Sequence, residues 1–164
     1  MHSRNYARTL GVVLAVGAVL ALGVADLSAQ MSDPRIGTWK LNVEKSKYSP
    51  GPAPKSATMK IEASGQGETA TTEGVNAEGA DTKVEYTAQF DGKDYPLTGS
   101  QTADKTSLKR IDARTTERTN KKGETVVGTI TQVLSEDGKT MTATTTGTNA
   151  QGQAMNNVTV WEKQ

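Results

Sequence analysis

The chain has 164 residues, with 19 basic and 18 acidic side chains, one Phe, two Trp, four Tyr and no Cys. No disulfide can form, and the near-balance of charge supplies no long-range attraction to nucleic acid or to an anionic membrane. The one histidine is His2, so the rest of the chain has neither imidazole nor thiolate, which excludes Ser-His-Asp and Cys-His catalysis and the usual zinc and copper ligand sets.

Residues 1–29 read as a signal peptide. Arg4 and Arg8 make a basic start, Leu10 to Ala25 is an apolar run, and Leu27-Ser28-Ala29 ends in a small residue at a cleavage position. The run is short for a bilayer span, which needs roughly 20 apolar residues. The expectation is cleavage near Ala29, no stable membrane span afterwards, and one domain over residues 30–164. Without Arg4, Arg8 and Asp26, that domain carries equal numbers of basic and acidic residues. Aliphatics are sparse and threonine is abundant. Threonine is β-branched and favours strands, so the composition reads as a folded all-β domain with polar outer faces.

The first strand follows at "GTWKLNV", with Trp39, Leu41 and Val43 on one face and Lys40, Asn42 and Glu44 on the other. Pro50, Pro52 and Pro54 come next, a stiff extended crossover in which no helix can run. Met59, Ile61 and Ala63 make the inner face of the next strand. In "TKVEYTAQFDGKDYP", Val84, Tyr86, Ala88 and Phe90 point inward and Asp91-Gly92 begins a turn. Gly-containing turns such as Glu78-Gly79, Lys122-Gly123 and Gln151-Gly152 recur through the chain. Short alternating strands between such turns predict an antiparallel meander of eight to ten strands.

"TSLKRIDARTTERTNKKG" is less regular. A turn at Asp112-Ala113 puts Leu108, Arg110, Thr115 and Glu117 on one face and Lys109, Ile111, Arg114, Thr116 and Arg118 on the other. Either the hairpin hangs over the edge of the core or one face lines a polar interior. In "TQVLSEDGKTMTAT", Asp137-Gly138 supplies a tight hairpin turn. It pairs Glu136 with Lys139, Leu134 with Met141 and Gly128 with Gly147. Val126, Ile130 and Leu134 then share the core face, with a ladder of Thr140, Thr142, Thr144 and Thr146 outside. The final strand offers Val158 and Val160 on one face and Thr159 and Trp161 on the other.

Little catalytic chemistry is available. The paired carboxylates Asp91/Asp94 and Glu136/Asp137 sit at hairpin tips, where they read as turn formers. "EDGKT" and "DGKD" lack the alternating oxygen ligands of a calcium loop. No catalytic residue, metal site or cofactor is expected. The one dense basic cluster is Lys109, Arg110, Arg114 and Arg118. It reads either as a solvated hairpin with cross-strand ion pairs or as a grip for a ligand anion. With the turn as placed, Glu117 lies diagonal to Arg110 and within its reach. Arg110, Glu117 and Tyr86 are therefore the candidate ligand contacts. Gly37, Trp39, Asp137, Gly138 and Trp161 are the candidate structural residues.

"GTWKL" resembles the opening strand of the calycin barrels, the lipocalins and fatty-acid-binding proteins, and "NNVTVWEKQ" resembles the last strand of the latter. The resemblance implies a lipocalin-like antiparallel barrel whose floor is closed by Trp39. "KSKYSPGPAPKS" and "FDGKDYP" also resemble a group of exported bacterial proteins of unassigned activity, which implies the periplasm or the extracellular space. There are departures. The Arg-x-Tyr pair that holds a carboxylate in fatty-acid-binding proteins is here Thr159 and Trp161. The two-helix lid has no room between Glu44 and Ser56. The late Arg that packs over the lipocalin Trp is missing, and the basic residue nearest the end is Lys163. The expected function is non-enzymatic binding of a small hydrophobic or amphipathic ligand. The alternative is an envelope structural or interaction protein whose barrel is filled by side chains. An enclosed void of roughly 300 Å³ or more favours the ligand.

Overall fold

The structure, a computed structural model, describes residues 33–164; the predicted signal peptide lies outside the described residues. Ten strands follow one another: β1 (Gly37–Lys47), β2 (Ser56–Ser64), β3 (Gly67–Val75), β4 (Asp81–Gln89), β5 (Tyr95–Thr98), β6 (Lys105–Arg110), β7 (Thr115–Lys122), β8 (Thr125–Leu134), β9 (Thr140–Thr148) and β10 (Ala154–Lys163). Each pairs antiparallel with its sequence neighbours. β1 closes on β10, with Trp39 opposite Lys163 and Leu41 opposite Trp161. The expected meander is thus a closed ten-stranded barrel. Residues 48–55 cross from β1 to β2 without a helix, as the prolines require.

The inward-facing set largely follows the alternation. Trp39, Leu41, Met59, Ile61, Tyr86, Ala88, Leu108, Ile130, Leu134, Met141 and Trp161 are all buried, with Val84 and Phe90 packed against them. Trp39 is fully buried near the start of β1. Lys163 stands in for the missing arginine, with its Nζ 5.3 Å from the centre of the Trp39 ring. Gly37 has φ +137°, and a Cβ there would lie 3.0 Å from Lys163 Cε, so this glycine lets the lysine cross. Ala63 shares the inner face but is exposed, because it sits at the outer limit of its strand.

The β8–β9 hairpin has the predicted register, Gly128 opposite Gly147 and Leu134 opposite Met141. Gly138 sits at φ +68° and closes the turn by donating its N–H to Ser135 O (3.0 Å), while Asp137 accepts from the Ser135 hydroxyl and the Lys139 N–H. Two local expectations fail. Glu136 pairs with Arg114 at 3.4 Å rather than with Lys139. Val126 is 55% exposed instead of facing the core. Asn120 pairs with Gly128 but Lys121 pairs with Val126, so Val127 is the extra residue of a β-bulge. One inserted residue reverses the faces beyond it, and Val127 packs on the core in Val126's place.

The β6–β7 hairpin is shifted by one residue from the predicted register. Leu108 lies opposite Arg118, Lys109 opposite Glu117 and Arg110 opposite Thr116. The loop has three residues, Asp112 to Arg114, because Asp112 Oδ1 accepts from the N–H groups of Arg114 (2.8 Å) and Thr115 (2.7 Å). A one-residue slip moves every side chain of β7 to the other face. Thr116, Arg118 and Asn120 therefore face inward and Glu117 faces out. The expected Arg110–Glu117 contact does not form.

Candidate binding site in the barrel interior

One end of the interior is filled by side chains. Above Trp39, Arg35 enters from the segment before β1 and is fully buried. Its Nη2 contacts Glu68 Oε2 at 2.7 Å and Asp33 Oδ2 at 2.9 Å, and its Nη1 donates to the Thr116 hydroxyl at 3.2 Å. Asp33 also receives Arg110, and both arginines lie over the Phe90 ring, at 5.2 Å for Arg35 and 4.3 Å for Arg110. The other Glu68 oxygen accepts from the Tyr86 hydroxyl at 2.8 Å. Burial alone would push the Asp33 carboxyl up. The Arg35 charge, with hydrogen bonds from Arg35 and Arg110, outweighs it and holds that carboxyl below its ordinary range. Burial, and then the Glu68 charge, push the Tyr86 phenol well above its ordinary value, so the phenol keeps its proton and donates it to Glu68.

Over this plug lies a cavity of about 290 Å³, close to the lower limit of ligand pockets, roughly 300 Å³. Its apolar lining is Met59, Val84, Leu97, Ile130, Ala143 and Trp161, interspersed with the hydroxyls of Thr72, Ser100, Thr145 and Thr159. Trp161 Nε1 donates to the Thr159 hydroxyl at 3.0 Å, which in turn bonds the Ala143 carbonyl at 3.4 Å, so these polar atoms satisfy one another. β7 and β8 add Arg118, Asn120 and Gln132, with Ile130 directly opposite Arg118. The Arg118 guanidinium lies 5.0 Å from the Tyr86 ring centre. A second concavity of about 220 Å³, lined by Gln101, Thr102, Lys122, Val127 and Thr148 to Ala150, lies toward the opposite end from the plug.

Of the three residues expected to contact a ligand, Tyr86 lines this cavity. Arg110 is at the floor, bonded to Asp33, and Glu117 is on the outer surface opposite Lys109. Arg118 and Asn120 take the inward positions that the shifted register opened. The signal that would have found them is Asp112, whose side chain caps the backbone two and three residues on and so favours a three-residue loop. Arg35 and Glu68 had no pattern to announce them, since Arg35 precedes the first strand and Glu68 sits in a threonine-rich one.

A closed ten-stranded antiparallel meander with a buried tryptophan on its first strand and an interior cavity has the architecture of the calycin barrels, in the form used by fatty-acid- and bile-acid-binding proteins. Among solved structures, the chain is similar to the zebrafish ileal bile acid-binding protein complexed with cholic acid. The match has a TM-score of 0.50 and 16% sequence identity, and covers 80% of this chain and 99% of that one. At that identity the likeness establishes the fold. Neither a protein-family model nor a curated protein sequence matches the chain.

Proposed function

We propose that this protein is an exported, non-enzymatic barrel that reversibly holds one compact amphipathic molecule in its upper interior. The observation that carries this reading is the cavity of about 290 Å³ whose lining mixes apolar side chains with Arg118, Asn120 and Gln132, above a floor already filled by side chains. Water takes roughly 30 Å³ per molecule, so the space suits a ligand on the order of 10–15 non-hydrogen atoms. The similar bile acid-binding barrel, solved with cholic acid, supports an interior ligand in this architecture.

The test is a cavity-filling variant. Ala143 is buried in the cavity lining, and Ala143→Phe places a ring in the void. Trp161 borders the cavity, so its fluorescence reports titration with small amphipathic probes. Wild type is expected to bind and Ala143→Phe to lose binding while melting as a folded protein. Equal binding by both would put the ligand outside the barrel. No binding by wild type would favour the alternative, a structural or interaction protein with an idle interior.

Export rests on the pattern of residues 1–29. Sequencing the exported form is expected to find an N-terminus near Gln30, and finding Met1 there would remove this part of the proposal.

A further inference from the structure

Resting on that reading, we infer that Arg118, Asn120 and Gln132 form a head-group site for a compact carboxylate. The cluster is rich in donors. Thr116 Oγ1 accepts from Arg35 Nη1, so its own proton goes onward to Gln132 Oε1 at 3.3 Å. That engages the Gln132 oxygen and leaves its NH₂ as the group available to the cavity. In the same way the Thr106 hydroxyl donates to Asn120 Oδ1 at 2.9 Å, which leaves the Asn120 NH₂. Asn120 lies two residues from Arg118 on the same strand, and Gln132 is diagonal to Arg118 across the β7–β8 pair.

Arg118 is the centre of the cluster. Its Nε is buried with no hydrogen-bond partner. Arg35 Nε shares that condition, but the Arg35 guanidinium already holds two carboxylates. Glu68 bonds the Tyr86 hydroxyl, and its two oxygens are taken by Tyr86 and Arg35. Among the described residues Arg118 forms no ion pair; it stacks on the Tyr86 ring and hydrogen-bonds the Tyr86 hydroxyl. A cation facing a cavity among amide donors, with no acid paired to it among the described residues, favours an anion. A planar carboxylate presents two oxygens to such a set, and bonds to an ionised acceptor are the strong ones. The site lies on β7 and β8, whereas the last strand has Thr159 and Trp161 facing each other.

Calorimetric titration with octanoate and with 1-octanol separates this inference from the reading beneath it, because the two share a chain and differ in charge. The wild type is expected to bind octanoate at least tenfold more tightly. Arg118→Met should lose that advantage, weakening octanoate by roughly ten- to a hundredfold and leaving octanol unchanged or tighter. Asn120→Asp keeps the acceptor for Thr106 and turns the donor into a charge, so it should abolish octanoate binding; it also serves should Arg118→Met fail to fold. If wild type binds the acid and the alcohol equally, or if either variant holds octanoate as wild type does, the head-group site is wrong while the barrel remains a binder. If wild type binds neither, the reading of an interior small-molecule site falls, and this inference with it.

Discussion

Replacing Trp39 by alanine is expected to lower the unfolding free energy by about 3–5 kcal/mol, the usual cost of truncating a buried tryptophan. Domains of this kind are stable by only about 5–15 kcal/mol, and this one has no cysteine with which to reinforce itself. Three things are lost together. The ring is fully buried. Its Nε1 donates to the Arg35 carbonyl at 2.8 Å, and Lys163 lies over its face. The carbonyl left behind is part of the segment that delivers Arg35, so the plug loosens with it. Urea melts of wild type and variant should separate clearly at pH 7. Coincident curves would mean that the interior is closed by something other than this ring.

Arg35→Met is expected to cost a similar amount, about 3–5 kcal/mol, because it removes one partner of a buried ion pair and strands the other. Glu68 would keep the Tyr86 hydroxyl but lose its cation; Asp33 would keep Arg110 and the backbone N–H of residue 35. Combining Arg35→Met with Glu68→Leu should recover much of the loss, since a buried pair replaced by apolar groups is often nearly neutral. The acid limb gives an independent reading. Asp33 is held below its ordinary value in the folded state. It therefore contributes stability that is present above its unfolded pKa, near 3.9, and is lost as pH falls through the lower folded value. Arg35 is the main source of that depression, so the acid-side fall in stability should be shallower in Arg35→Met. Additive losses in the double variant, or identical acid limbs, would show that the ion pair is not what holds the floor.

The fold was legible wherever side chains alternated cleanly. Trp39, Leu41, Met59 and Ile61 on β1 and β2 have period two, as do Val84, Tyr86 and Ala88 on β4. The β8–β9 register followed from Asp137-Gly138. The binding wall was not legible, because it depends on a count of one. A two-residue loop and a three-residue loop after Ile111 differ only in what Asp112 does with its carboxylate, yet they put opposite faces of β7 inside. Glu117 and Arg118 exchange places between the two. Local polarity offered no guide, since a polar interior and a polar surface read alike. Val126 failed for the same kind of reason, one extra residue at Val127. Arg35 and Glu68 lay beyond any pattern: a buried charge is made affordable by partners 33 and 81 residues away in sequence, which no short window contains.

The pairing of β1 with β10 has a consequence for the order in which the chain becomes a protein. Trp39 lies opposite Lys163, so the first of the ten strands is completed by the tenth in chain order. Until β10 arrives, β1 has only β2 beside it, and the Trp39 ring and the Arg35 side chain have no closed interior to enter. Contacts of such long sequence separation slow folding, because the entropy of bringing the ends together is lost before the contacts form. The barrel is therefore built to remain open for as long as the chain is incomplete. Its final closure brings together β1 and β10, the floor and the plug in a single event.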